Sequence, residues 1–134
     1  MTKGAALQTF FNSFGIPAYP ATAVPTYEDL VADGTIQDGE SMFPYMTYSP
    51  VFDSWGNPVS ITVNLWYRTE DEAPPSAKAQ ELADAIGGGK YIPCDGGAVL
   101  LTRGTPWCQS LTDSTDPRIK RRYINVTAEF LTLN

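Results

Sequence analysis

The chain has 134 residues, 43% of them hydrophobic, with a formal net charge of −6 and no histidine. That length fits one domain, residues 1–134, able to hide roughly two-thirds of its unfolded surface without disulfide staples. The acidic balance argues against a free-standing nucleic-acid binder, which normally carries a basic excess. No apolar run approaches the roughly 20 residues of a membrane span, so no membrane association is expected.

The first predicted element is a helix over residues 4–14, where Ala6, Phe10 and Phe14 recur four apart beside Leu7 and Phe11. Gly15 and Ile16-Pro17 end it. Gln8, Asn12 and Ser13 interrupt its apolar character, so a secretory signal is not expected. Pro17, Pro20 and Pro25 then mark an extended connector or an edge segment without full ladder bonding. Residues 26–41 carry Glu28, Asp29, Asp33, Asp38 and Glu40 and read as an acidic surface loop, with one helical turn at residues 27–31. Residues 1–42 thus form an N-terminal helix with a proline-rich, acidic loop, and residues 43–134 the core of sheet and helix.

A short strand is predicted at 43–48, with Tyr45 and Thr47 on one side and Met46 and Tyr48 on the other. Asp53-Ser54-Trp55-Gly56-Asn57-Pro58 is a turn sequence. Val59, Ile61, Val63, Leu65 and Tyr67 alternate with Ser60, Thr62, Asn64 and Arg68, a half-buried strand over 59–68 that should pair with 43–48 as a hairpin. Trp66 interrupts the polar face. It fits either a core residue beneath a helix or an interface anchor.

A helix is expected at 76–86, capped by Ser76 and buried through Ala79, Leu82, Ala83 and Ile86. Gly87-Gly88-Gly89 terminates it. A phosphate loop would place such glycines before a helix, not after it. Tyr91–Cys94 is a short strand or approach to one, and Asp95-Gly96 is a tight turn. Residues 98–103 are continuously apolar and read as a central strand. A loop at 113–117 leads to a final strand, with Ile124, Val126, Ala128 and Phe130 on one face and Asn125, Thr127 and Glu129 on the other. The fold class is α+β, a mainly antiparallel or mixed sheet carrying one or two helices, in the order α-β-β-α-β-β.

No catalytic set emerges, and the chain is not expected to be an enzyme or to need a cofactor. Histidine, the usual acid–base group at neutral pH, is absent. The carboxylates cluster in loops, where solvated surface is the ordinary role. Cys94 and Cys108 match no metal-ligand spacing and are expected to be reduced thiols. The concentrated positive feature is Arg118, Lys120, Arg121 and Arg122. It is either a solvated strand entrance or a contact for an acidic neighbour, such as the Glu70-Asp71-Glu72 loop of another copy. These residues together with Trp66 make up the candidate interface.

Residues 43–133 resemble the tail terminator (tail completion, minor capsid) proteins of long-tailed phages and prophages. The resemblance is carried by Val63-Asn64-Leu65-Trp66-Tyr67, the 76–86 helix and its glycines, Asp95-Gly96-Gly97, Arg103-Gly104-Thr105-Pro106, and the run from Ile119 to Leu131. The order and spacing of this set carry the likeness, with no single diagnostic motif, and the 17–41 stretch departs from it. The resemblance implies a small α/β subunit forming a ring, usually of six copies, at the head-proximal end of the tail tube. Such a ring stops tube polymerisation and offers a surface for joining the head. The implied partners are further copies of the chain, the tail-tube protein, a head-closure or connector protein, and genomic DNA that passes through the channel without specific binding. The implied location is the virion neck, assembled in the host bacterial cytoplasm. Alternative readings are another neck or connector component, a tail-tube subunit, or a small carboxylate-based enzyme.

Overall fold

The computed structural model describes all residues, 1–134. Helix α1 (Lys3–Phe11) starts where the Thr2 hydroxyl accepts from the Ala5 N–H at 3.1 Å, and it buries Ala6, Leu7 and Phe11. It stops at Asn12, short of the predicted residue 14, because the Ser13 hydroxyl turns back to the Phe10 carbonyl. Strand β1 (Ala18–Pro20) forms inside the proline-rich connector. Helix α2 (Tyr27–Ala32) is the expected turn, extended by one residue and fixed by a reciprocal capping box between Thr26 and Asp29.

Strands β2 (Tyr45–Tyr48) and β3 (Val59–Arg68) form the predicted hairpin. Helix α3 (Ala73–Ile86) begins earlier than expected, with Glu72 and not Ser76 at its N-cap. Pro74 and Pro75 occupy its first turn, where a missing N–H breaks no helical hydrogen bond. Its buried residues include the predicted Ala79, Leu82, Ala83 and Ile86. Strands β4 (Lys90–Cys94), β5 (Gly97–Thr112) and β6 (Ile119–Thr132) complete the fold.

The architecture is α+β with a six-stranded mixed sheet in the order β1-β2-β3-β6-β5-β4. Only the β1–β2 pair is parallel. The element order is α-β-α-β-β-α-β-β-β, which corrects the simpler expected order. Two short elements account for the difference at the N-terminal side: β1 and α2, both too brief to leave a periodic pattern. The 98–103 segment is also corrected. It belongs to a longer strand, β5, that lies next to the edge strand β4, while β3 and β6 take the middle. No helix is long and apolar enough to cross a membrane.

The inward positions form one core. Ile61, Val63 and Leu65 of β3, Ile124, Val126 and Ala128 of β6, and Val99 and Leu101 of β5 are all fully buried. Helix α3 rests on β3, β5 and β6, and α1 touches both edge strands, β1 and β4. Six strands spaced about 4.8 Å apart would put the edges of a flat sheet about 24 Å apart. A helix of this length spans only about 14 Å. The sheet therefore curls around α1, with both longer helices on the concave face.

The thiols of Cys94 and Cys108 are free. Cys94 lies level with Gly97, which pairs with Thr132, whereas Cys108 pairs with Ile124. From Ile124 to Thr132 is about 26 Å of strand at ~3.3 Å per residue. The two cysteines cannot join within one chain.

Candidate interaction surface

The alternation of β6 divides its basic cluster between two faces. Arg122 points inward with Ile124 and is only 4% exposed. Its Nη2 donates to the Glu72 carboxylate at 2.6 Å and to the Ser76 hydroxyl at 3.0 Å. Lys120 lies on the same side, 4.0 Å from Glu72, and its amine donates to the Pro117 carbonyl. Glu72 is therefore committed within the chain: it starts α3 and neutralises two cations beneath it. Arg122, read from sequence as an interface candidate, is structural, because an even-numbered position in β6 faces the helices, whereas Glu72 pairs with it and keeps a 58% exposed side chain.

Arg121 takes the opposite face. Its guanidinium lies over the Trp66 ring, 5.3 Å from the centroid, and it has no carboxylate partner. The sheet register sets this pairing, since Trp66 stands directly across from Arg121 on one side and Tyr45 on the other. The Tyr45 and Trp66 rings are nearly parallel, with centroids 6.1 Å apart. The indole N–H donates to the Thr47 hydroxyl at 3.0 Å, which holds the ring against β2. Tyr19 of β1 and Phe43 complete the group, with centroids 6.3 and 5.4 Å from Tyr45. Of the two roles open to Trp66, a core position beneath α1 or α3 is excluded, because both pack on the other face.

The row continues to Leu111, opposite Arg121 in β5. Trp66, Arg121, Leu111 and Ile119 line a cleft of about 260 Å³ whose far wall is the β5–β6 loop, Thr112 to Ser114. A cation over an indole, an aliphatic side, and hydroxyl groups flanking the Asp113 carboxylate suit a protein segment that sets an apolar group in the cleft and an acidic group on the Arg121 side, away from Asp113. Burial raises the hydroxyl pKa of Tyr45, with Tyr19 adding to the effect, so both phenols are neutral at physiological pH.

The remaining candidates are dispersed. Arg118 pairs with Asp116 at 3.4 Å, and Asp116 also accepts from Arg68 at 3.2 Å. Hydrogen bonds from Thr115 hold the Asp113 carboxyl below its ordinary pKa, and the Arg118 N–H does the same first for Asp116. Asp71 accepts from the Ala73 N–H ahead of α3, and Glu70 is exposed in the same loop. The three acids at 70–72 are thus spent partly on starting α3.

Sequence reasoning missed Tyr19, Phe43, Tyr45 and Leu111 as members of this surface. The alternation of 43–48 did place Tyr45 opposite Met46, which was the available signal. Which strands become neighbours is a non-local matter, and no local pattern brings Tyr45 beside Trp66. No group of acidic, cysteine or histidine side chains could hold a metal ion. Comparison with protein-family models, with curated proteins and with solved structures finds no match.

Proposed function

We propose that this chain is a structural subunit of a phage tail: a terminator that forms a ring on the head-proximal end of the tail tube, halts its growth and supplies the surface for head joining. The resemblance over residues 43–133 motivates the reading. The observation that carries it is the half-buried Tyr45–Trp66–Arg121 row on the face of the sheet away from α1 and α3. There, an unpaired cation and large rings are held rigidly where another subunit can reach them. Aromatic and arginine side chains on a fixed scaffold are what protein interfaces favour as anchors.

Head-to-tail contact between such a row and an exposed acidic segment closes into a ring when the rotation per subunit divides a full turn. Glu28 and Glu40, both exposed on the α2 side of the molecule, provide that complement. A net charge of −6 suits a channel that DNA slides through without adhering.

The test is genetic and visual. A phage deleted for this chain should make heads and unjoined tails, with tails of irregular or excessive length in electron micrographs. Joined tails of normal length in the deletion would reject the terminator role. Rings of the purified chain on the ends of tail-tube polymers are the corresponding result in vitro.

A further inference from the structure

The two edges of the sheet are finished differently. At β1, the Ala18 N–H donates to Asn12 Oδ1 at 3.0 Å and the Ala18 carbonyl accepts from Gln8 Nε2 at 2.8 Å. Pro20 has no N–H to offer, and its carbonyl accepts from the Ala23 N–H at 2.9 Å. Every outward backbone group of β1 is therefore used, and that edge is sealed.

At β4 the arrangement is open. The Gly96 carbonyl accepts from the Leu133 N–H, so Gly97 turns its own backbone groups to Cys94. Alternation then makes Ile92–Val99 and Lys90–Leu101 the hydrogen-bonded pairs. The Tyr91 N–H, the Tyr91 carbonyl and the Pro93 carbonyl point away from the sheet. Pro93 is tolerated because its missing N–H would have faced outward. Farther along the same edge, the Asp95 N–H already donates to the Met1 carbonyl at 2.7 Å. Tyr91 itself is 61% exposed.

Beside this edge runs a groove of about 290 Å³ between β4 and α1. Ala6, Phe10, Ile92 and Pro93 give it an apolar lining, and Lys90 is the one charged side chain in it. Lys90 lies at the start of β4 and has no carboxylate partner. A strand laid along β4 would meet the free groups of Tyr91 with its backbone. Its alternate side chains would drop into the groove against Phe10.

We propose that the β4 edge and the α1 groove form a docking site for an extended apolar segment of a partner protein, added antiparallel to β4, with a carboxylate at its C-terminal end over Lys90. In an antiparallel strand the C-terminal end lies beside the first residue of β4, so a carboxylate at that end meets Lys90. The site is on different elements from the Trp66–Arg121 row and does not depend on the ring reading.

The probe is a synthetic peptide, acetyl-Thr-Val-Thr-Ile-Thr-Val-Thr-Asp-amide, whose Asp shares the face of Val and Ile and so meets Lys90, titrated into the full chain and followed by amide NMR. Shifts confined to residues 89–95 and α1, with at least tenfold slower hydrogen exchange at the Tyr91 amide, are expected. N-methylating the peptide residue that faces Tyr91 should weaken binding at least tenfold. Lys90→Glu should weaken the Asp-ended peptide severalfold and favour a Lys-ended one. Thr9→Glu, at an exposed α1 position on the groove, should abolish binding with the circular dichroism spectrum unchanged. No binding at millimolar peptide, or binding indifferent to both N-methylation and Lys90→Glu, overturns the proposal. Self-association of the chain that Tyr91→Pro removes would also overturn it, by assigning the edge to a second copy.

Discussion

Arg122 and Glu72 are fifty residues apart in the chain and 2.6 Å apart in the fold. The pair ties the middle of the sheet to the head of α3. Its two members are unequal, since the Arg122 side chain is 5% exposed and that of Glu72 is 58% exposed. Arg122 Nη1 is buried without a partner in the protein. Glu72→Ala should therefore cost ~1.5–3 kcal/mol, the range for a hydrogen bond to a charged group, with water reaching the vacated side. Arg122→Glu should cost about 3–5 kcal/mol, because it buries two like charges against each other. Arg122→Met should be close to neutral, since it removes the buried charge and its unmet donor together. Urea denaturation of the three variants checks the order.

The α3 stripe offers a second measurement. Leu82 is fully buried against the sheet. Leu82→Ala should lose about 2–5 kcal/mol, the range for a truncated core side chain. Leu82→Asp should lose more and leave little folded protein at 37 °C. A melting temperature unchanged by Leu82→Asp would refute the packing of α3.

The β4–β5 turn depends on glycine. Gly97 has φ of +151°, and a Cβ there would lie 1.8 Å from the Leu131 carbonyl oxygen. Neither the backbone angle nor the neighbouring strand can yield cheaply. Gly97→Ala should destabilise by more than about 3 kcal/mol, whereas Gly88→Ala, with nothing near its Cβ, should fall within about 1 kcal/mol of the parent.

Local pattern carried much of this fold. The alternation of Ile124, Val126, Ala128 and Phe130, the same alternation in 59–68, and the spacing of Ala79, Leu82, Ala83 and Ile86 each match the buried set. What local pattern could not carry was pairing. Strand β1 is three residues among prolines and exists because Met46 donates to the Pro17 carbonyl. Strand β5 continues through a register shift between Arg103 and Cys108, where Gly104-Thr105-Pro106 reads as an exit from the strand. Gly104 permits that shift by letting Asn125 approach where a Cβ would come within 2.7 Å. The basic cluster shows the limit most plainly. The sequence presents four cations in five residues, and only the strand phase tells Arg122, inside, from Arg121, outside.

Stability should fall at both ends of the pH scale. Burial raises the pKa of Tyr67, with Glu81 adding to it, and burial also raises Tyr48, Tyr45, Tyr19 and Cys108. A pKa higher in the folded state means that the folded form holds its proton longer. That contribution is complete below the unfolded values, about 8.5 for Cys and about 10 for Tyr, and is lost as pH rises through the folded ones. Asp33, Asp113 and Asp116 are shifted down by hydrogen bonds, so their contribution is present above about pH 4 and lost as pH falls through their lower folded values. Melting temperature should plateau near neutrality and decline above about pH 8.5 and below about pH 4. A Cys108 thiol raised by burial should also react with disulfide reagents more slowly in the folded chain than after denaturation, when two free thiols should be counted.

The outward cation separates assembly from folding. Arg121 has no carboxylate to lose, and it stands over Trp66 on the face away from α1 and α3. Its exposed cation–π contact is worth ~0.5–1 kcal/mol, so Arg121→Glu should leave the melting temperature within a few degrees of the parent. Trp66→Ala removes more, because the indole also packs on Tyr45 and donates to Thr47, and it should cost on the order of 1–3 kcal/mol. Both variants should fail to form rings on tube ends and fail to rescue a deletion phage, although each still folds. Arg118→Glu, whose partner Asp116 keeps a second cation in Arg68, should fold and assemble nearly as the parent does. If Arg121→Glu assembles normally while Arg118→Glu does not, the contact lies on the β5–β6 loop and the aromatic row has another role.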